Sequence, residues 1–174
     1  IYGGKVTRYD RRTAQVSNVG PVGGGRGGPT AGPAYRPVRT QPVVFSQADP
    51  RALYYGNNVL WKTIDGGINW KQISPDLTRE NPAVPATLDA PAAANNLGGG
   101  PRRGVIYAIA PSRVADHDLW VGTDDGLVWR SRDDGAHWDN VTPKGLTAWS
   151  KVGILDASPF DAESAYAAID RHRL

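Results

Sequence analysis

The sequence predicts an all-β fold assembled from repeated four-stranded antiparallel units, and three observations carry that reading. An eight-residue pattern occurs twice, as Thr63-Ile64-Asp65-Gly66-Gly67-Ile68-Asn69-Trp70 and as Ser131-Arg132-Asp133-Asp134-Gly135-Ala136-His137-Trp138. Both copies read [S/T]-x-D-x-G-x-x-W, each follows a short aromatic strand, and each leads into a β-like run that stops at proline. A pattern repeated together with its flanks reports an architecture built from copies. The chain of 174 residues also carries 21 Gly and 14 Pro, about a fifth of its length against an average nearer 12%, which favours turns over long helices. Finally, short aromatic and β-branched runs recur while no segment holds a helical period over three turns.

The elements follow in order. Ile1-Tyr2-Gly3-Gly4 and Val6-Thr7-Arg8-Tyr9-Asp10 match the second half of a unit, with a decayed box over Asp10 to Val16. The first complete unit holds Val43-Val44-Phe45, Leu53-Tyr54-Tyr55-Gly56, Val59-Leu60-Trp61-Lys62, the first box, and Lys71-Gln72-Ile73-Ser74-Pro75. The second holds Val105-Ile106-Tyr107-Ala108-Ile109, Leu119-Trp120-Val121-Gly122, Leu127-Val128-Trp129-Arg130, the second box, and Asp139-Asn140-Val141-Thr142-Pro143. Ile154-Leu155-Asp156-Ala157 and Ala165-Tyr166-Ala167-Ala168-Ile169 match the first half of another.

The boundaries are a half unit at 1–16, a connection at 17–41, a unit at 42–75, a connection at 76–104, a unit at 105–143 and a half unit at 149–174, all in one domain. Both ends fall within a unit, as expected of a piece of a longer chain. Four strands in 40 to 50 residues is the size of a β-propeller blade, which cannot bury both faces alone and needs a neighbour on each side. The partners implied are the remaining blades of a parent chain or another copy.

Composition removes several function classes. Cys and Met are absent, so there is no disulfide framework, thiolate nucleophile or thiol metal site. The formal charge is +3 and the sequence pI about 9.3. Basic residues are scattered apart from Arg11-Arg12, Arg102-Arg103 and Arg171-His172-Arg173, which makes a mildly basic surface and no nucleic-acid footprint. No apolar run approaches the roughly 20 residues of a membrane span, and the first residues lack a signal-peptide pattern.

His117, His137 and His172 stand at no ligand spacing with one another. Asp116-His117-Asp118 reads as a polar turn and Asp124-Asp125-Gly126 as a hairpin turn, without the alternating oxygen ligands of a calcium loop. The runs Gly23–Pro29 and Leu97–Pro101 lack the strand, helix and Lys-Ser/Thr that a phosphate cradle requires. No metal and no cofactor are expected.

Within each box the Asp can accept backbone N–H bonds, the Gly two residues later can take a positive φ, and the hydroxyl can bond across the turn. The Trp is expected to fold back onto the strands beneath. A residue recurring once per unit serves a need that arises once per unit, so Thr63, Asp65, Gly67 and Trp70, like Ser131, Asp133, Gly135 and Trp138, are read as structural. The boxes resemble the Asp-box, or BNR repeat, of propellers in sialidases, xyloglucan-cleaving glucanases, sortilin-type receptors and photosystem assembly factors. Ile73–Thr78 and Leu119–Gly126 further resemble large secreted bacterial BNR-repeat proteins labelled glycosyl hydrolases or sortilin-like. The resemblance implies a partial β-propeller in a larger secreted or periplasmic bacterial protein, with the boxes on the side opposite the ligand-binding mouth.

On that mouth side fall the connections 17–41, 76–104 and 143–152, two of them greatly lengthened. Extra loop length there marks the functional face. The first functional reading is a ligand-binding or scaffold module for a protein or glycan, with Arg102, Arg103, Trp149 and Lys151 offering cations and an aromatic plane. The alternative is a fragment of a glycoside hydrolase working through paired carboxylates. Asp156 is its catalytic candidate, with the partner carboxylate outside this chain.

Overall fold

A computed structural model describes residues 5–21, 35–36, 40–83, 104–172 and 174. The fold is all-β, with no helix among the described residues. A hairpin of β1 (Thr7–Asp10) and β2 (Gln15–Asn18) comes first. Next comes the sheet β3 (Val43–Phe45), β4 (Leu53–Gly56), β5 (Leu60–Thr63) and β6 (Lys71–Gln72). A second four-stranded sheet holds β7 (Ile106–Pro111), β8 (Leu119–Thr123), β9 (Val128–Ser131) and β10 (Asp139–Asn140). The hairpin of β11 (Lys151–Ala157) and β12 (Ala165–Asp170) closes the series. Both four-stranded sheets run antiparallel in sequence order.

The units pack side by side as successive blades through their inner strands, with β7 touching β3 and β4 on one side and β11 on the other. Alternation along each strand supplies the two faces. Between the four-stranded blades, Tyr54, Leu60, Ile73 and Leu77 meet Ile106, Ile109, Leu119 and Val121 in one buried cluster. The opposite face of the second blade sends Ala108, Ala110, Trp120 and Val128 against Val152, Leu155 and Ala157. A Cβ on Gly122 would lie 2.4 Å from Val152 Cγ1, and one on Gly56 would lie 2.8 Å from Ile106 Cγ2. A glycine stands at or next to the end of the second strand in both complete blades because the next blade's inner strand lies against it. The sheets do not close into a ring, and the molecule is a partial β-propeller of four-stranded antiparallel blades.

Antiparallel order places the turns β3–β4, β5–β6, β7–β8, β9–β10 and β11–β12 on one face. The turns β4–β5 and β8–β9 and the connections between blades lie on the other. Those two faces are called the box face and the connection face below.

Candidate functional site

On the box face both boxes share one bonding scheme, differing in the N–H three residues after the Asp: Ile68 bonds the Asp65 carboxylate, Ala136 the Asp133 carbonyl. Asp65 Oδ1 accepts the Ile68 and Asn69 N–H groups at 3.0 and 2.9 Å, and Thr63 Oγ1 donates to it at 2.8 Å while accepting from Gly67 N at 3.1 Å. In the second box Asp133 Oδ1 accepts the His137 N–H at 2.8 Å, and Ser131 Oγ donates to it at 2.9 Å while accepting from Gly135 N at 2.8 Å. The Asn69 N–H bond, aided by the Asn69 and Thr63 side chains, lowers the Asp65 carboxyl to about 2. The His137 N–H and ring likewise lower Asp133 to about 2. These carboxylates are fully ionised turn anchors, not proton carriers near neutral pH.

Gly67 and Gly135 take φ of 88° and 90°, and Gly66 and Asp134 before them also lie in the left-handed region at 71° and 57°. The tryptophan rings fold back onto the strands as expected, Trp70 edge-on to Tyr55 of β4 with centroids 6.2 Å apart and Trp138 against the cluster holding Leu119 and Val121, while their indole N–H groups reach further. Trp70 Nε1 donates to Val19 O at 2.6 Å and Trp138 Nε1 to Ile73 O at 2.9 Å, each acceptor lying in the preceding blade just beyond its outer strand. A Cβ on Gly135 would sit 2.4 Å from the same Ile73 O. The box thus closes its own hairpin and staples that hairpin to the blade before it.

The connection face carries a denser polar cluster. Arg36, 5% exposed, donates to Gly104 O at 2.9 Å, to Asp76 Oδ2 at 2.9 Å and to Thr78 Oγ1 at 2.7 Å. Asn58 in the β4–β5 turn accepts the Arg36 N–H at 2.9 Å and donates to Asp76 Oδ2 at 2.9 Å. Burial opposes ionisation of Asp76, yet its Thr78 and Asn58 bonds and the Arg36 guanidinium hold its carboxyl below the usual range.

The next turn, β8–β9, is tied down from the same connection. Arg79 donates its backbone N–H to Asp125 Oδ2 at 2.8 Å and its guanidinium to the carbonyls of Asp125 and Gly126 at 2.8 and 3.1 Å. Asp124 Oδ1 accepts the Val105 N–H at 2.7 Å. Burial, then the adjacent Asp125 carboxylate, pushes the Asp124 carboxyl up to about 7. Burial raises Asp125 as well, outweighing its bonds from Thr123 and Arg79.

Arg102 and Arg103 lie outside the described residues. Trp149 is buried, takes φ of 64°, and donates its indole N–H to Ala83 O at 3.0 Å. Lys151 begins β11 on the connection face, with Nζ 4.8 Å from the Tyr107 ring centroid and 2.8 Å from Asp170 Oδ2. Asp156 sits toward the other end of β11, and its exposed carboxylate accepts from Arg113 at 3.0 Å. The structure therefore brings Trp149 and Lys151 together on the connection face and places Asp156 toward the box face, directed outward. Asp156, the catalytic candidate, thus lies away from the connections.

Two groups of residues escaped the sequence reading. Arg36, Asp76, Arg79 and Asp125 converge from distant segments, and no local pattern marks them. Ser46, Ser112 and Ser158 form a second repeat. Each is buried, its Oγ accepts two backbone N–H groups of the turn between first and second strands, and its own N–H pairs across that turn. Their signal was present: each serine precedes a small or aliphatic residue and then an aromatic at one constant spacing, Leu53-Tyr54, Leu119-Trp120 and Ala165-Tyr166.

No protein family and no curated protein matches this chain. Among solved structures it is similar to the GH74 xyloglucanase from Xanthomonas campestris, with a TM-score of 0.47 and 18% identity over 81% of this chain. The chain spans 20% of the length of that protein.

Proposed function

We propose that this propeller segment is a ligand-binding or scaffold module of a larger exported protein, and that a glycan or protein docks on its connection face. The observation that supports this is the concentration of buried side-chain ties at the described ends of the lengthened connections on that face. The two long connections, the Arg36–Asp76 and Arg79–Asp125 ties, Trp149 and Lys151 all belong to that face, whereas the repeated box and serine turns occupy the other. Buried ties hold the described roots of those connections, Arg36, Asp76 to Arg79 and Gly104. Arg102 and Arg103 precede Gly104, whose carbonyl Arg36 holds, and they are the proposed cationic contacts together with Lys151. The glycoside-hydrolysing alternative draws its second carboxylate from outside this chain; Asp156 lies toward the box end of β11 and is ion-paired with Arg113, away from the connection face, which favours the binding reading.

The test is a glycan and protein array probed with the chain and with its Arg102→Ala/Arg103→Ala and Lys151→Ala variants. The expected result is a ligand bound by the wild type and weakened at least about tenfold in the variants, with the thermal midpoint unchanged, as for loss of a charged contact. Retention of wild-type affinity by both variants, or no ligand for the wild type, overturns the proposal.

A further inference from the structure

The turn between second and third strands serves one purpose in both complete blades and serves it with different chemistry. In the first blade Asn58 Oδ1 accepts the backbone N–H of Arg36 at 2.9 Å, from the preceding connection, and Asn58 O accepts that of Leu77 at 3.1 Å, from the following one. In the second blade Asp125 Oδ2 accepts the backbone N–H of Arg79 at 2.8 Å, and Asp125 O accepts that of Trp149 at 3.0 Å. The two turns correspond through their own bonds, since Val59 N reaches Asn57 Oδ1 at 2.9 Å as Leu127 N reaches Thr123 Oγ1 at 2.8 Å. Each turn is therefore a clasp that joins the roots of two successive connections. The second clasp is tight: a Cβ on Gly126 would lie 2.6 Å from Thr147 O, and the Trp149 indole ties the two roots directly through Ala83 O at 3.0 Å.

The first clasp closes with an amide, whose charge does not change with pH. The second closes with a carboxylate beside another. Asp125 is fully buried and Asp124 half-buried, and between them they hold both described ends of the connection 76–104: Asp125 Oδ2 takes Arg79, and Asp124 Oδ1 takes the Val105 N–H at 2.7 Å. Thr123 Oγ1 donates to the other Asp125 oxygen at 2.5 Å. Among the described residues the charges set against the pair are those of Arg79 and Arg36. Both guanidiniums are already engaged, Arg79 with the carbonyls of Asp125 and Gly126, and Arg36 with Gly104 O, Asp76 and Thr78. Two like charges buried on adjacent residues oppose each other's ionisation, so the closed clasp keeps one proton between the two carboxyls. We propose that the second clasp is a proton-operated latch: loss of that proton to solvent drives Asp124 outward and frees the roots around Arg79, Val105 and Trp149, while the amide clasp of the first blade stays shut. Burial, then the Asp125 charge, raises the Asp124 carboxyl to about 7 in the closed clasp. A group raised in the closed state favours closure at low pH and loses that contribution as pH rises through its closed value, so the latch opens across neutral pH.

The latch rests on backbone roots and not on the ligand proposed above, so either can fail alone. Backbone amide hydrogen exchange, resolved by nitrogen-15 NMR at pH 6, 7 and 8, tests it. The first clasp is the control within the same molecule, because catalysis of exchange by hydroxide acts on both clasps alike. Protection of Arg79 and Trp149, each rate taken relative to that of an unstructured chain and then to Arg36 and Leu77 treated in the same way, is expected to fall about tenfold between pH 6 and pH 8. Asp124→Asn keeps an acceptor for Val105 and cannot ionise, and it should hold that ratio constant to within about twofold. A ratio that stays flat in the wild type, a loss of protection shared equally by Arg36 and Leu77, or a fall that survives in Asp124→Asn overturns the proposal.

Discussion

Replacing Asp124 by asparagine should make the protein more stable at neutral pH and flatten its stability between pH 5 and 8. Asp124 is held by the Val105 N–H, and burial beside Asp125 raises its carboxyl to about 7; an unfolded aspartate titrates at about 3.9. The folded chain therefore binds a proton in a range where the unfolded chain has released it, and stability falls as pH rises through that window. The stabilisation is complete below about pH 4 and lost above about pH 7. A shift of this size corresponds to roughly 2–4 kcal/mol across the window. Asparagine keeps an Oδ1 acceptor for Val105, carries no charge and relieves its neighbour Asp125. Asp65, Asp133 and Glu163, each lowered to about 2, titrate below the window and leave it undisturbed. The assay is the urea midpoint and slope for both proteins at pH 5, 6, 7 and 8. Wild type should lie furthest below the variant at pH 8 and make up most of that gap by pH 5; parallel profiles would refute the reasoning.

Three further perturbations test the packing. Trp138→Phe keeps the ring but leaves the half-buried Ile73 carbonyl without its donor, and should lower stability by about 1–2 kcal/mol in urea titration. Gly122→Val drives a branched side chain into Val152, whose Cγ1 already lies 2.4 Å from a Cβ at that site; a loss of about 1–3 kcal/mol or more is expected in thermal unfolding. Arg36→Ala removes the countercharge of the partly buried Asp76 carboxylate and the bonds to Gly104 O and Thr78. Its cost should be about 3–5 kcal/mol, with faster proteolysis of the segment after Pro75 in a timed digest.

The strands were legible because aromatic and β-branched runs alternate and end at turn residues, and the box was legible because its bonds are local. Thr63 and Asp65 reach only as far as Asn69, so eight residues contain the whole turn. The acceptor of the Trp70 indole N–H was not legible, since Val19 is brought to it only by packing of one blade on another. The same holds for Asp124 and Asp125. Their sequence is a turn; burial raises both carboxyls, the Asp125 charge raises Asp124 further, and Arg79 and Arg36, from segments far removed in the chain, pull the other way. The serine turns differ in kind, because a spacing repeated three times was available in the sequence. The place of Asp156 was not legible because strand periodicity fixes neither which end of β11 faces the connections nor which side chains turn outward.

Four of the six tryptophans, Trp70, Trp129, Trp138 and Trp149, donate their indole N–H groups to carbonyls outside their own blade, those of Val19, Leu77, Ile73 and Ala83. Hydrogen exchange of the indole protons by nitrogen-15 NMR tests the side-by-side blade packing most directly. The account predicts that these four indoles exchange orders of magnitude more slowly than a solvated indole and disappear together on unfolding. Exchange of Trp70 and Trp138 at the rate of a free indole, in a chain whose strands remain protected, would contradict it.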